Sequence, residues 1–127
     1  SDVYKRQMVE AVRKLIPEAE ITAVGTNPMA TTSMLKAGAT NGATGENAVI
    51  VGVRNADIIV GPIGIAIADS LLGEITPAMA VAVGQSRAKK VLIPVNKCNN
   101  IVVGTEGKST SDLISEAILK IKEISRS

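Results

Sequence analysis

Two apolar runs, EITAV at residues 20–24 and DIIV at residues 57–60, each leave through a glycine-containing turn and lead into a helix-like segment. That pattern constrains the fold more than any other feature. Short strands alternating with helices imply a mostly parallel, doubly wound sheet, because a parallel pair needs a crossover between its members.

The rest of the chain fits this scheme. Met8, Val9, Val12, Leu15 and Ile16 recur at helical spacing, and Pro17 ends that helix. After the strand at 20–24, Asn27 reads as an N-cap and Pro28 as the first residue of a helix over 28–37, stopped by Gly38. Residues 40–45 (TNGATG) read as a loop. Residues 46–55 read as a short helix, although Val49, Ile50 and Val51 also suit a strand.

Beyond the strand at 57–60, residues 65–72 read as helical. Thr76 and Pro77 start a further helix, residues 78–88, that is apolar on nearly every side. Residues 91–95 (VLIPV) and 101–103 (IVV) read as strands. The five polar residues between them can close a hairpin but cannot hold a crossover helix, so this pair is expected to be antiparallel. Ser109 or Thr110 caps a last helix with Leu113, Ile114, Ala117, Ile118, Ile121 and Ile124 on one face.

Composition excludes several kinds of chemistry. The 127 residues suffice for one domain. With 46% hydrophobic and 20% charged residues the chain is globular rather than disordered. There is no histidine, which removes Ser-His-Asp and Cys-His arrangements and His-ligated metal sites; no metal is expected. A net charge of +2 and a single aromatic residue, Tyr4, argue against nucleic-acid binding. The lone Cys98 suits a reducing compartment. The uncharged stretch between Asp57 and Asp69 is broken by Gly61, Pro62 and Gly64 and falls short of the roughly 20 residues of a membrane span. A cytoplasmic protein without membrane contact is the expectation.

Three stretches carry a family resemblance: AVGTNPMATTSMLKAGATNGATGEN, ADIIVGPIGIAIADSLLGEITPAMAVAVGQSRAKKVLIPV, and NKCNNIVVG. From Met8 onward the chain resembles the uncharacterised bacterial domain-of-unknown-function family 3842. The resemblance implies a Rossmann-like three-layer α/β sandwich whose members open with a short strand and a glycine-rich turn of the Asp-Gly-Gln-Gly-Gly-Gly type. This chain opens instead with SDVYKRQ. That heptapeptide can be reverse-translated as TCA GAT GTG TAT AAG AGA CAG, a string similar to the transposon-end adapter of sequencing libraries. Residues 1–7 are therefore expected to be non-native, joined to a metagenomic fragment whose first strand is missing. Residues 8–127 form the single domain.

In open α/β sheets, ligands bind beyond the carboxyl ends of the strands. Three segments there leave through glycine toward a helix: Gly25-Thr26-Asn27, Thr44-Gly45-Glu46-Asn47, and Gly61-Pro62-Ile63-Gly64. Free N–H groups and the helix dipole at such starts favour a phosphate, and Thr26, Thr31, Thr32 and Thr44 can add hydroxyl donors. The expected ligand is small and phosphorylated or nucleotide-like. NAD(P) is one candidate, since no acid follows the 20–24 strand to reject a phosphorylated ribose. Asn96, in the polar loop after 91–95, is a further lining residue.

Two other classes stay open. One is a nucleoside-processing hydrolase or transferase in which Glu74 or Asp69 attacks or stabilises the anomeric carbon, a layout similar to that of nucleoside deoxyribosyltransferases. The other is a non-enzymatic ligand sensor or oligomeric scaffold. The apolar surface of residues 63–72 and 78–83 further suggests a homodimer.

Overall fold

The computed structural model describes residues 2–95 and 99–126. Helix α1 runs Asp2–Leu15. It begins well before Met8 because Tyr4 lies one turn earlier on the same face, and both side chains are buried in one core cluster. At the other end of α1, the Arg13 guanidinium donates to Gly38 O (3.0 Å), Pro17 O (2.8 Å), Ala19 O (2.8 Å) and Thr40 Oγ1 (2.9 Å). This one side chain satisfies the carbonyls of the turns leading into the next two strands.

Strand β1 (Thr22–Gly25), helix α2 (Pro28–Lys36) and strand β2 (Asn41–Thr44) form a parallel crossover unit, with Thr22 opposite Asn41 and Gly25 opposite Thr44. The Asn27 cap forms as expected, its Oδ1 accepting from Ala30 N at 2.9 Å. Helix α3 (Glu46–Asn55) then leads to strand β3 (Ile58–Pro62) and a 3-10 turn at Ile63–Ala66. Helix α4 (Pro77–Gln85) is capped by Thr76, whose Oγ1 accepts from Met79 N at 3.2 Å, and leads to strand β4 (Lys89–Ile93). Strands β3 and β4 are parallel, with Ile58 opposite Lys89 and Pro62 opposite Ile93. Helix α5 (Thr110–Ser125) closes the fold.

Among the described residues the architecture is mixed α/β, with five α-helices and two parallel sheets of two strands each. Tyr4 and Met8 of α1, Ile93 of β4, and Ile114, Ala117, Ile118 and Ile121 of α5 make the main core. Val9, Ala23 and Met34 join α1, β1 and α2 in a second cluster. A third, Ile75, Met79 and Ala80, seats α4 against Val49, Ile65 and Leu71. Most of the apolar side of α4 is thus spent inside the molecule, leaving Val81 and Leu72 among the exposed large residues. No helix among the described residues is long and apolar enough to cross a membrane.

Four expectations are corrected. The single doubly wound sheet is present as two separate strand pairs, because no described strand bonds β1 to β3. The antiparallel C-terminal strand does not form at residues 101–103. Ile101 and Val103 are 86% and 89% exposed there. Pro94 lacks an N–H to extend the ladder of β4, and Thr105 Oγ1 donates to Val102 O at 2.7 Å in a local turn before Gly104 (φ 90°) and Gly107 (φ 82°) redirect the chain. Residues 41–44 are strand rather than loop, since pairing with β1 overrides the poor strand propensity of Asn and Gly. Gly42 is needed in it: a Cβ would meet Leu35 Cδ1 and Thr31 Cγ2 at 2.8 Å. Finally, residues 65–72 give the short 3-10 turn and a compact loop. Asp69 N donates to Ile75 O at 2.7 Å and the Ser70 hydroxyl to Gly64 O, so loop closure replaces the helical ladder.

Helix α5 carries a capping box. Ser109 N donates to Asp112 Oδ2 and Asp112 N to Ser109 Oγ, each at 3.0 Å. Hydrogen bonding from the Ser109 backbone and side chain, assisted by Lys108, holds the Asp112 carboxyl below its usual value. A carboxyl depressed in the folded state contributes stability above its unfolded pKa and loses it as pH falls through the folded one. In denaturant titrations from pH 6 to pH 2, Asp112→Asn is expected to flatten the acid limb relative to the parent. An unchanged acid limb would contradict the capping role.

Candidate functional site

One contact joins the turn after β1 to the loop that leads into α4. The Thr26 hydroxyl, just beyond β1, donates to Glu74 Oε2 at 2.9 Å, across 48 residues of chain. The carboxylate that the sequence offers for chemistry thus stands beside the glycine turn that it offers for binding.

Around this contact the elements are tightly linked. Gly25 must be glycine because a Cβ there would lie 2.8 Å from Thr31 N and 3.0 Å from Asn27 O, besides meeting Thr31 Oγ1. Thr31 is buried, with 6% exposure, and turns inward: its Oγ1 lies 3.3 Å from Asn27 O, 3.2 Å from Ala43 O and 2.8 Å from Thr44 Oγ1. It braces the ends of β1 and β2 rather than facing a ligand. Gly45 N donates to Gly25 O at 3.0 Å, extending the pairing of the two strands by one step.

Gly45 is the N-cap of α3 at φ 101°, a region that favours glycine. It makes no side-chain cap bond, unlike Asn27 and Thr76, and open space surrounds the position a Cβ would occupy. The first turn of α3 therefore lacks the side-chain acceptor that closes the starts of α2, α4 and α5. Gly25, Thr26, Asn27, Thr44, Gly45 and Glu74 form one contiguous group.

A protein-family comparison matches residues 4–126 to the family described as Domain of unknown function (DUF3842). The chain belongs to that family. No curated protein and no solved structure matches it.

In this DUF3842 chain the remaining residues singled out from the sequence lie elsewhere or serve packing. Gly61 and Pro62 end β3, and a Cβ on Gly61 would meet Ile65 Cδ1 at 2.9 Å. Gly64 is buried in the 3-10 turn against Ser70. Asp69 is exposed at φ 64°, followed by Leu71 at φ 54° and Leu72 at φ 57°. Such left-handed non-glycine residues cost about 1 kcal/mol or more each, so the loop that carries Glu74 stores strain. Asn96 lies outside the described residues, as do Lys97 and Cys98. Thr32 faces a separate cleft of about 420 Å³ between α1 and α2, lined also by Arg6, Pro28, Met29, Ser33 and Lys36. Nothing in the local sequence announces the Thr26–Glu74 pairing, which joins the turn after β1 to a loop 48 residues further along the chain.

Proposed function

We propose that this DUF3842 chain belongs to the doubly wound, Rossmann-like class of α/β domains and binds a small phosphorylated, nucleotide-like ligand at the carboxyl ends of β1, β2 and β3. The observation that carries the reading is the Thr26–Glu74 contact beside the uncapped start of α3. An uncapped helix start offers N–H groups and a positive dipole end to a phosphate. A carboxylate a short distance away accepts hydrogen bonds from hydroxyls, as a ribose diol would supply. The two together suit a molecule with an anion at one end and hydroxyls at the other.

Thermal-shift and calorimetric titrations with AMP, NAD, NADP, adenosine and inorganic phosphate test this reading. AMP or a dinucleotide is expected to raise the melting temperature, since a ligand at 100 times its Kd stabilises by about 2.7 kcal/mol. Glu74→Gln is expected to weaken AMP at least tenfold and to leave inorganic phosphate unchanged. The absence of any nucleotide-dependent shift would sink the proposal.

A second reading uses the same carboxylate as a nucleophile toward the anomeric carbon of a nucleoside, releasing the base. The position of Glu74 within the cluster favours it. Release of free base from nucleosides, abolished in Glu74→Gln, is its expected signature; binding without release leaves a ligand sensor.

A further inference from the structure

Helices α3 and α4 lie side by side and run in the same direction. Val49 of α3 packs on the cluster that holds Met79 and Ala80 of α4, and at their far ends the Ser86 hydroxyl donates to Val53 O at 2.7 Å. Together they turn one face outward. Helix α3 exposes Asn47, Val51 and Arg54, and α4 exposes Ala78, Val81 and Gln85, each set at helical spacing. Val51 and Val81 are 43% and 53% exposed. No residue of α3 is fully buried, although Val49, Ile50, Val51 and Val53 lie in it. From Asn47 to Val53 and from Ile75 to Ser86 there is no charged side chain.

Charge is divided between the two ends of this face. At the end where Glu74 meets the turn after β1, residues 44–47 and 69–76 carry Glu46, Asp69 and Glu74 and neither lysine nor arginine. At the end where β3 and β4 start, residues 53–58 and 86–90 carry Arg54, Arg87, Lys89 and Lys90 against Asp57. Glu46, Arg54 and Arg87 join no ion pair among the described residues.

We infer that a second copy of this chain docks on the α3–α4 face about a two-fold axis, its helices antiparallel to those they cover. An axis perpendicular to the face turns the second copy end for end. It sets the acidic end of each copy against the basic end of the other, while Val51 and Val81 meet near the axis. The reverse arrangement, acid on acid, is repelled. The charges therefore suit a second copy and fix its register. Residues 78–83, expected from the sequence to self-associate, supply only half of the surface. Resting on the ligand reading above, the dimer also completes the anion site. The segments around the start of α3 offer N–H groups but no cation, and the partner's Arg54 would bring one toward Gly45. A phosphate there would be held between two copies, so its binding would favour the dimer.

Sedimentation velocity of the full chain, with circular dichroism to follow folding, tests the interface. The parent is expected to dimerise with a dissociation constant on the order of 10 µM, and to dissociate as salt screens the end contacts. Arg54→Glu sets acid against the partner's Glu46, and Glu46→Arg sets base against the partner's Arg54. Each alone should weaken self-association at least tenfold. An equimolar mixture of the two variants restores opposite charges at both contacts and should recover the parent's dimer. Mixing could not rescue a variant that had merely misfolded. A parent that stayed monomeric up to about 1 mM, a single variant that dimerised like the parent, or a mixture that stayed monomeric would overturn the inference. So would growth into larger assemblies, the mark of an open head-to-tail contact. AMP added to the parent is expected to tighten the dimer. A dimer that AMP does not tighten overturns the sharing of the anion site and leaves the interface standing. AMP bound by a monomer overturns the interface and leaves the ligand reading standing, so the two failures are distinguishable.

Discussion

Gly25→Ala is expected to lower the unfolding free energy by about 3 kcal/mol and the melting temperature by about 10 °C. A Cβ at this position has no room. It would sit 2.8 Å from Thr31 N and 3.0 Å from Asn27 O, and it would also meet Thr31 Oγ1. The hydroxyl can move, but the two backbone atoms are held by the first turn of α2 and its Asn27 cap. Combining Gly25→Ala with Thr31→Ala should therefore recover only part of the loss, because Thr31→Ala also removes the contacts to Ala43 O and Thr44 Oγ1. Urea unfolding of the single and double variants measures both quantities. A change below about 1 kcal/mol would mean that β1 can shift away from α2, and the tight turn would lose its explanation. Because Gly25 O also holds Gly45 N, the folded fraction of the variant should bind AMP more weakly than the parent.

Ile93→Ala should be the most damaging core truncation, at about 4 kcal/mol. Ile93 is 1% exposed and closes the cluster in which α1, α5 and β4 meet. Removing three carbons there forfeits the transfer energy of the atoms and leaves a cavity walled by Tyr4, Met8, Ile114 and Ile118. Collapse into that cavity is limited, since two helices and a strand constrain its walls. Ile93→Val should cost only about 1 kcal/mol. Denaturant melts of the pair, with the slope monitored, would check this. Equal effects for the two variants would show that the site repacks freely. For a domain of this size, whose total stability is of order 10 kcal/mol, the alanine variant should be measurably unfolded well below the parent's melting temperature.

Much of the local structure could be read from the sequence. Asn27-Pro28 and Thr76-Pro77 mark helix starts by cap-plus-proline chemistry, and both caps form. Ser109 forms its capping box, and the apolar face of α5 buries Ile114, Ala117, Ile118 and Ile121 as its period requires. The short helix over 46–55 and the strands at 20–24, 57–60 and 91–95 appear within two or three residues of their expected bounds. These are short-range signals, set by a side chain and the few backbone groups next to it.

The failures share another cause. Asn41–Thr44 has no strand propensity to detect; it is extended because β1 offers an edge and Gly42 fits under Leu35. The IVV triplet has that propensity and no strand partner among the described residues, so Ile101 and Val103 stay exposed. The helical spacing is legible only from Met8 onward, yet residues 2–7 continue α1 because Tyr4 is buried beside Met8. The candidate site shows the same division. Its glycines and threonines could be named one at a time, while the inward turn of Thr31, the bond from Thr26 to Glu74 and the open start of α3 depend on segments far apart in the chain.

The sequence by itself determined where α2, α4 and α5 begin, which face α5 buries and which chemistries are excluded, because caps, periodicity and residue inventory act within a few positions. Only the tertiary structure decided which strands pair, that the described strands form two sheets, and that Glu74 meets Thr26. Strand pairing and site assembly are set by partners distant in the chain, and no local pattern encodes the distance between them.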